Sequence, residues 1–273
     1  MGTTTQWVRY GDQLGYMARP ERAAGPLPAI LVIQEIWGVD AHIQDVTRRF
    51  AAAGYAALAP DLYAEKGVRP AAITPERVAD LQQFMNGLPP AAWTDPSIRD
   101  AEIAKLPEPR RSSVRETLGT LFAGLGKGPA WVQGFVGPLL AATRYLRYEC
   151  DATKGQPLAC VGFCMGGGLS ALLACREPEL SAAVVFYGST PPEAEIPNIK
   201  CPVLGLYGGL DQRINAGIPA FEAVMKQAGK RYERHIYDGA AHSFFNDTRP
   251  SYNVAAARDA FARTLELFRQ TLT

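Results

Sequence analysis

The sequence predicts an α/β fold: one mostly parallel sheet of about eight strands, helices on both faces, and a helical insertion at about 64–130. Three observations predict it. Continuous apolar runs of strand length recur along the chain, as strands buried on both faces require. Stretches with helical spacing of apolar residues separate them. The rhythm is broken once, by a segment too long for an ordinary connection.

In chain order, "QWVRY" and "LGYMARP" read as a hairpin turning at "GDQ". "PAILVIQ" (28–34) is the first buried strand. Residues 40–53 form a helix with Ile43, Val46 and Phe50 on one face. "YAALAPD" (55–61) is the second buried strand. The insertion holds a helix in "PERVADLQQFMNGL", with Val78, Leu81, Phe84 and Leu88 at helical spacing, followed by proline-rich and charged pieces. It is expected to be a cap over a site, a packing insert or a dimer surface. Beyond it come helices at about 132–149, 165–176 and 215–228, and strands in "PLACVGF" (157–163), "SAAVVFYG" (181–188) and "CPVLGLYGG" (201–209). A last strand, "RYERHIY", precedes a final helix over 251–271. Residues 1–273 thus read as a single domain with 64–130 inserted, without internal repeats or low-complexity tracts.

Composition excludes several classes. The hydrophobic fraction of 47% is ample for a large core. A net charge of +1 without long basic runs gives no electrostatic capture of nucleic acid or anionic membrane. No apolar stretch has signal-peptide or transmembrane character. The five cysteines form no C-x-x-C pair, so reduced thiols in a cytoplasmic protein are expected rather than a disulfide framework or a zinc site.

The chemistry centres on Gly162-Phe163-Cys164-Met165-Gly166, at the junction of a strand and a helix. Cys164 alone reads equally well as a small core residue. G-x-C-x-G after an apolar strand, however, is the nucleophile-elbow pattern with cysteine in place of serine. The turn strains the central residue, and side chains at the flanking glycines would collide with strand and helix. The helix that follows points its amino end at the thiol, which favours thiolate. Such a nucleophile needs a base and the base an orienter, in the chain order nucleophile, acid, histidine. His242, in a loop before the last helix, is the expected base. Asp211, after "LYGGL" at the carboxyl end of a strand, is the expected orienter; its alternative is a turn residue. His235 lies within a strand and reads as structural. Asp40, His42 and Asp45 read as a helix-capping turn with solvated polar groups, not a metal site. The loop after the first buried strand supplies the second oxyanion-hole amide in this topology, so the amides of Ile36 and Met165 are expected to form that hole. Glu35 then sits beside the thiol; its alternative is a buried ion pair with an arginine.

"QEIWG", "PDLY", "GFCMGG", "YGGLD" and "AHSFFNDTRPSYN", in this order, make the chain resemble the dienelactone hydrolase family (carboxymethylenebutenolidases) of the α/β-hydrolase fold. The resemblance runs from residue 6 to the C-terminus and is weak over 64–130. It implies Cys164 as nucleophile, His242 as base, Asp211 as its orienter and Glu35 as the carboxylate that contacts the thiol. Family members that open dienelactone carry an arginine shortly after the histidine to hold the substrate carboxylate. Phe245, Asn246 and Asp247 stand there instead. Arg213, in "GGLDQRIN", is the expected replacement, with Arg249 next, and Trp37 and Phe244 complete the expected substrate-binding set; the alternative for Arg213 is a surface ion pair.

The expected function is hydrolysis of a small lactone or ester through an acyl thioester, with no metal or organic cofactor, by a monomer or homodimer. The rivals are a broader carboxylesterase or thioesterase, a ligand-binding protein without turnover, and a thiol redox protein using Cys160.

Overall fold

Every residue of Ala29–Ile33, Ala56–Pro60, Leu158–Phe163, Ala182–Phe186 and Val203–Gly208 is buried, as the apolar runs require. In a computed structural model of the chain, which describes residues 2–93, 95–124 and 129–273, these five segments are strands β3, β4, β5, β6 and β7. Strands β1 (Thr3–Tyr10) and β2 (Gln13–Pro20) form the hairpin, and β8 is Tyr232–Tyr237. The eight strands lie in the order β1-β2-β4-β3-β5-β6-β7-β8. Of the neighbouring strand pairs among the described residues, only β1/β2 and β2/β4 are antiparallel. The register of β3, β5 and β6 aligns Ile33 with Gly162 and Gly162 with Val185, so these strands end together at one carboxyl edge.

Alternation along β3 divides the core. Ile30 and Val32 face α1 (Ala41–Ala52), while Leu31 and Ile33 face the opposite layer. In the insertion, α2 is Pro75–Asn86, α3 Pro96–Ala104 and α4 Arg110–Phe122; α5 (Pro129–Gln133) and α6 (Val136–Arg144) follow. Helix α7 is Met165–Arg176, α8 Gln212–Asn215, α9 Ile218–Gln227 and α10 Val254–Thr271. Thr94 and residues 125–128 of the expected insertion lie outside the described residues.

The insertion carries a core of its own. Val78, Leu81, Met85, Ile103, Val114 and Leu121 are buried in one cluster, each worth about 1.5–3 kcal/mol. That cluster continues into Ile36 and Trp37. Its helices therefore pack on the loop after β3, at the carboxyl edge of the sheet.

Two expected helices are interrupted. The one at 132–149 divides at Gly134–Phe135, and after α6 it widens into a π turn over Tyr145–Glu149. The one at 215–228 divides at Ala216–Gly217, between α8 and α9. The Asp40–Asp45 turn also differs from its expected form. Asp40 does cap α1, accepting from the Ile43 amide at 2.9 Å. His42, expected in solvent, is buried edge-on against Phe163 and Phe245, because position 42 falls on the core side of the first helical turn.

Close approach at the elbow leaves no room for side chains. A Cβ on Gly162 would lie 1.8 Å from the Gly166 carbonyl oxygen, and one on Gly166 would lie 2.3 Å from that of Ile33. The obstacles are backbone and cannot rotate aside. Gly162→Ala is therefore expected to cost about 3 kcal/mol or more, read as a lower urea midpoint at unchanged slope.

Candidate active site

β5 ends and α7 begins at a single residue, Cys164, whose φ of 56° and ψ of −116° are sterically costly for any side chain. The strain is held by the packing around Gly162 and Gly166 and by a bond from the Cys164 amide to the Phe186 carbonyl at 3.0 Å. Cys164 is partly exposed, unlike the buried Cys150, Cys160, Cys175 and Cys201. Cys160 is hydrogen-bonded to Ser170 at 3.1 Å, and burial pushes its pKa far up.

His242 stands between this thiol and Asp211. Its Nδ1 is hydrogen-bonded to Asp211 Oδ2, and its ring also meets the Cys164 side chain. Asp211 follows β7 and is itself anchored, capping α8 through the Ile214 amide. Burial lowers the His242 pKa, but the negative charge on Cys164 and the bond to Asp211 outweigh it and raise the value to about 10. Burial opposes ionisation of Asp211, yet the bond to His242 holds its pKa below the usual carboxylate value.

The loop after β3 covers this cluster. The Tyr63 hydroxyl donates to the Ile36 carbonyl at 2.8 Å, and Gln34 Oε1 accepts from the Leu62 amide at 3.1 Å. These bonds fix the loop and place Tyr63 against Met165. Among the described residues, the amides of Ile36 and Met165 donate to no other group.

Glu35 is 1% exposed. Its carboxylate accepts from Asn246 Nδ2 at 2.8 Å and Ser243 Oγ at 3.4 Å, and it forms no ion pair among the described residues. Nor does a hydrogen bond join it to the Cys164 thiol. Asn246 thus holds the carboxylate from the position at which the resemblance anticipates an arginine. The Tyr187 ring lies 5.1 Å from that of His242, and its hydroxyl faces Glu35. Burial, then the charges of Glu35 and Cys164, push the phenol far above its ordinary pKa.

The four expected substrate-binding residues separate. Arg249 is 8% exposed and sits in the corner of two indoles that meet edge to face, 4.6 Å from the Trp37 ring centre and 4.7 Å from that of Trp93. Its Nη1 donates to Asn86 Oδ1 at 2.8 Å. Burial lowers its pKa, opposed by the nearby charges of Glu35, Asp40 and Cys164. Trp37 is buried under the insertion against Trp93 and Phe122. Arg213 is exposed on α8, its charge reaching Asp211, and it has no acidic partner among the described residues. Phe244 must be corrected. It has no exposed surface and packs on Phe186, Tyr187 and Tyr237, because Ser243 at a φ of 61° turns the chain inward. The sequence left Tyr63, Tyr187, Asn86 and Trp93 without a role. Only Tyr63 carried a signal, through "PDLY". His235 stays at the sheet edge, paired with Glu233 at 2.7 Å.

Comparisons with known proteins identify the family and the fold. The family model for the dienelactone hydrolase family matches residues 14–272. A candidate carboxymethylenebutenolidase of Saccharolobus solfataricus is 35% identical over 257 residues, covering 93% of both chains. One from Escherichia coli O157:H7 is 32% identical over 272 residues, covering 95% of this chain and 83% of its own. The crystal structure of a candidate dienelactone hydrolase from Klebsiella pneumoniae superposes with a TM-score of 0.65 at 27% identity, over 99% of this chain and 100% of the other. No helix among the described residues is long and apolar enough to cross a membrane. With its mostly parallel eight-stranded sheet and the family match over nearly its whole length, the chain belongs to the dienelactone hydrolase family, hydrolases of ester and lactone bonds on the α/β-hydrolase fold.

Proposed function

We propose that the chain opens lactones or small esters by covalent catalysis, with Cys164 as nucleophile, His242 as acid and base, and Asp211 as orienter of His242. The observation that carries this reading is Cys164 in a strained conformation at the mouth of α7, facing an imidazole bound to Asp211. The Cys164 sulfur attacks the acyl carbon, the C–S bond forms, and the carbonyl electron pair moves to oxygen against the Ile36 and Met165 amides. As the pair returns, the C–O bond breaks and His242 gives its proton to the leaving oxygen. His242 then takes a proton from water, the hydroxide adds to the thioester, and thiolate leaves with the acid released. Thiolate leaves readily, so activated esters and enol lactones suit this centre better than amides.

Substrate selection in this reading falls to Arg249. It belongs to the same loop as His242, it is held against the Trp37 and Trp93 rings and by Asn86 through Nη1, and its remaining N–H groups can serve a carboxylate. Arg213 is exposed and less well placed. The test is kcat/KM on a carboxylated enol lactone and on neutral 4-nitrophenyl acetate. Arg249→Ala is expected to weaken the first by about 1.5–3 kcal/mol and the second much less, while Arg213→Ala leaves the ratio unchanged. Equal losses on both substrates assign Arg249 to support of the loop. A parent enzyme indifferent to the carboxylate is a broader carboxylesterase or thioesterase, and one that hydrolyses neither substrate overturns the proposal.

A further inference from the structure

His42 is an anomaly that this chemistry does not use. Its side chain is wholly buried, yet neither ring nitrogen has a well-formed hydrogen bond. Leucine would pack equally well on Phe163 and Phe245 and would avoid the cost of burying polar atoms. What the imidazole adds is a polar edge toward Asp247, with Nδ1 3.5 Å from Oδ1. Arg49, two turns along α1, reaches the other oxygen of the same carboxylate at 2.5 Å and also binds Asp45 at 2.7 Å. Asp247 is thereby gripped from one helix by two side chains.

The position of Asp247 gives the grip a consequence. It directly follows Asn246 in the His242 loop. Asn246 Oδ1 accepts from the Thr248 amide at 3.0 Å and its hydroxyl at 2.7 Å, which leaves Nδ2 pointing at Glu35. The turn that orients Asn246 thus spans Asp247. We propose that Asp247 is a positioning residue: clamped to α1 by His42 and Arg49, it fixes the turn that aims Asn246 at Glu35, and so keeps the Glu35 carboxylate off the Cys164 thiol. The proposal rests on Cys164 being the reactive thiol of the site. With the clamp released, Asn246 swings away, Glu35 loses its shortest hydrogen bond and keeps only Ser243 at 3.4 Å and the facing Tyr187 hydroxyl, and its charge moves toward sulfur, where it disfavours thiolate.

The readout is the rate of iodoacetamide alkylation at Cys164, followed by mass spectrometry, which needs no turnover. Asp247→Ala is expected to slow it about tenfold, the scale of a lost hydrogen bond to a charged group. In a Glu35→Gln background, which has no carboxylate charge to misplace, Asp247→Ala is expected to leave the rate within about twofold. On 4-nitrophenyl acetate the single variant lowers kcat with little change in KM. Asp247→Asn keeps the side chain's size while weakening the clamp, and serves should the alanine variant fail to fold. Equal slowing with and without Glu35 makes the clamp general scaffolding and overturns the proposal, as does an unchanged rate in both backgrounds. If alkylation follows the expected cycle but Cys164→Ala keeps its esterase activity, the covalent reading fails and the positioning proposal stands.

Discussion

Cys164→Ala is expected to lower kcat on 4-nitrophenyl acetate by on the order of 10⁴-fold, to the level that the remaining amides and binding contacts sustain. The argument is local. Removing one sulfur atom leaves Gly162, Gly166 and the Cys164 backbone bond to Phe186 in place, so the elbow keeps its shape. Alanine relieves none of the strain at a φ of 56°, and the melting temperature should change little beyond the lost charge pair with His242. Cys164→Ser is expected to be almost as poor, because a hydroxyl at the same place ionises far less readily than a thiol. The parent enzyme should show a burst of 4-nitrophenol equal to the enzyme concentration, and the alanine variant none. Steady turnover by Cys164→Ala at a tenth or more of the parent rate is incompatible with an acyl thioester.

The buried strands were legible because each is an apolar run with glycine or proline at or beside one end or the other, and length and punctuation agree. The pairing of His242 with Asp211 was legible because chain order and strand ends constrain it more tightly than either residue does alone. What stayed hidden depends on contacts between distant segments. Arg249 lies against Trp37, after β3, and Trp93, in the insertion, with Asn86 at the end of α2. No local pattern announces a cage assembled from three places. Phe244 was misread because one residue at positive φ, Ser243, reverses which side chains of the loop face inward. His42 was misread because Asp40 correctly signalled a cap, while burial of the next turn depends on Phe245, some two hundred positions away.

Asp211→Asn is expected to lower kcat by on the order of 10³-fold, short of the roughly 10⁴ seen where the nucleophile is a hydroxyl, because a thiol depends less on its base. Its more telling effect is on pH. The charge on Cys164 and the bond to Asp211 keep the His242 proton in place up to about pH 10, whereas an unfolded imidazole releases it near 6.5. The pair's contribution to stability is therefore complete below about pH 6.5 and is lost as pH rises through about 10. The kcat/KM profile of the parent enzyme should accordingly hold through neutral pH and fall on an alkaline limb near 10, where the imidazolium that protonates the leaving oxygen disappears. Asparagine keeps the side chain's size but removes the charge and, in one amide orientation, the acceptor that Nδ1 requires. The alkaline limb should move down toward neutrality, and so should the imidazole titration of His242 followed by nuclear magnetic resonance. In Cys164→Ala the same titration should also fall, since the first of the influences that raise it is gone. An alkaline limb unmoved by Asp211→Asn, alongside an unmoved His242 titration, would show that Asp211 only caps α8 through the Ile214 amide and that the imidazole is oriented by another group.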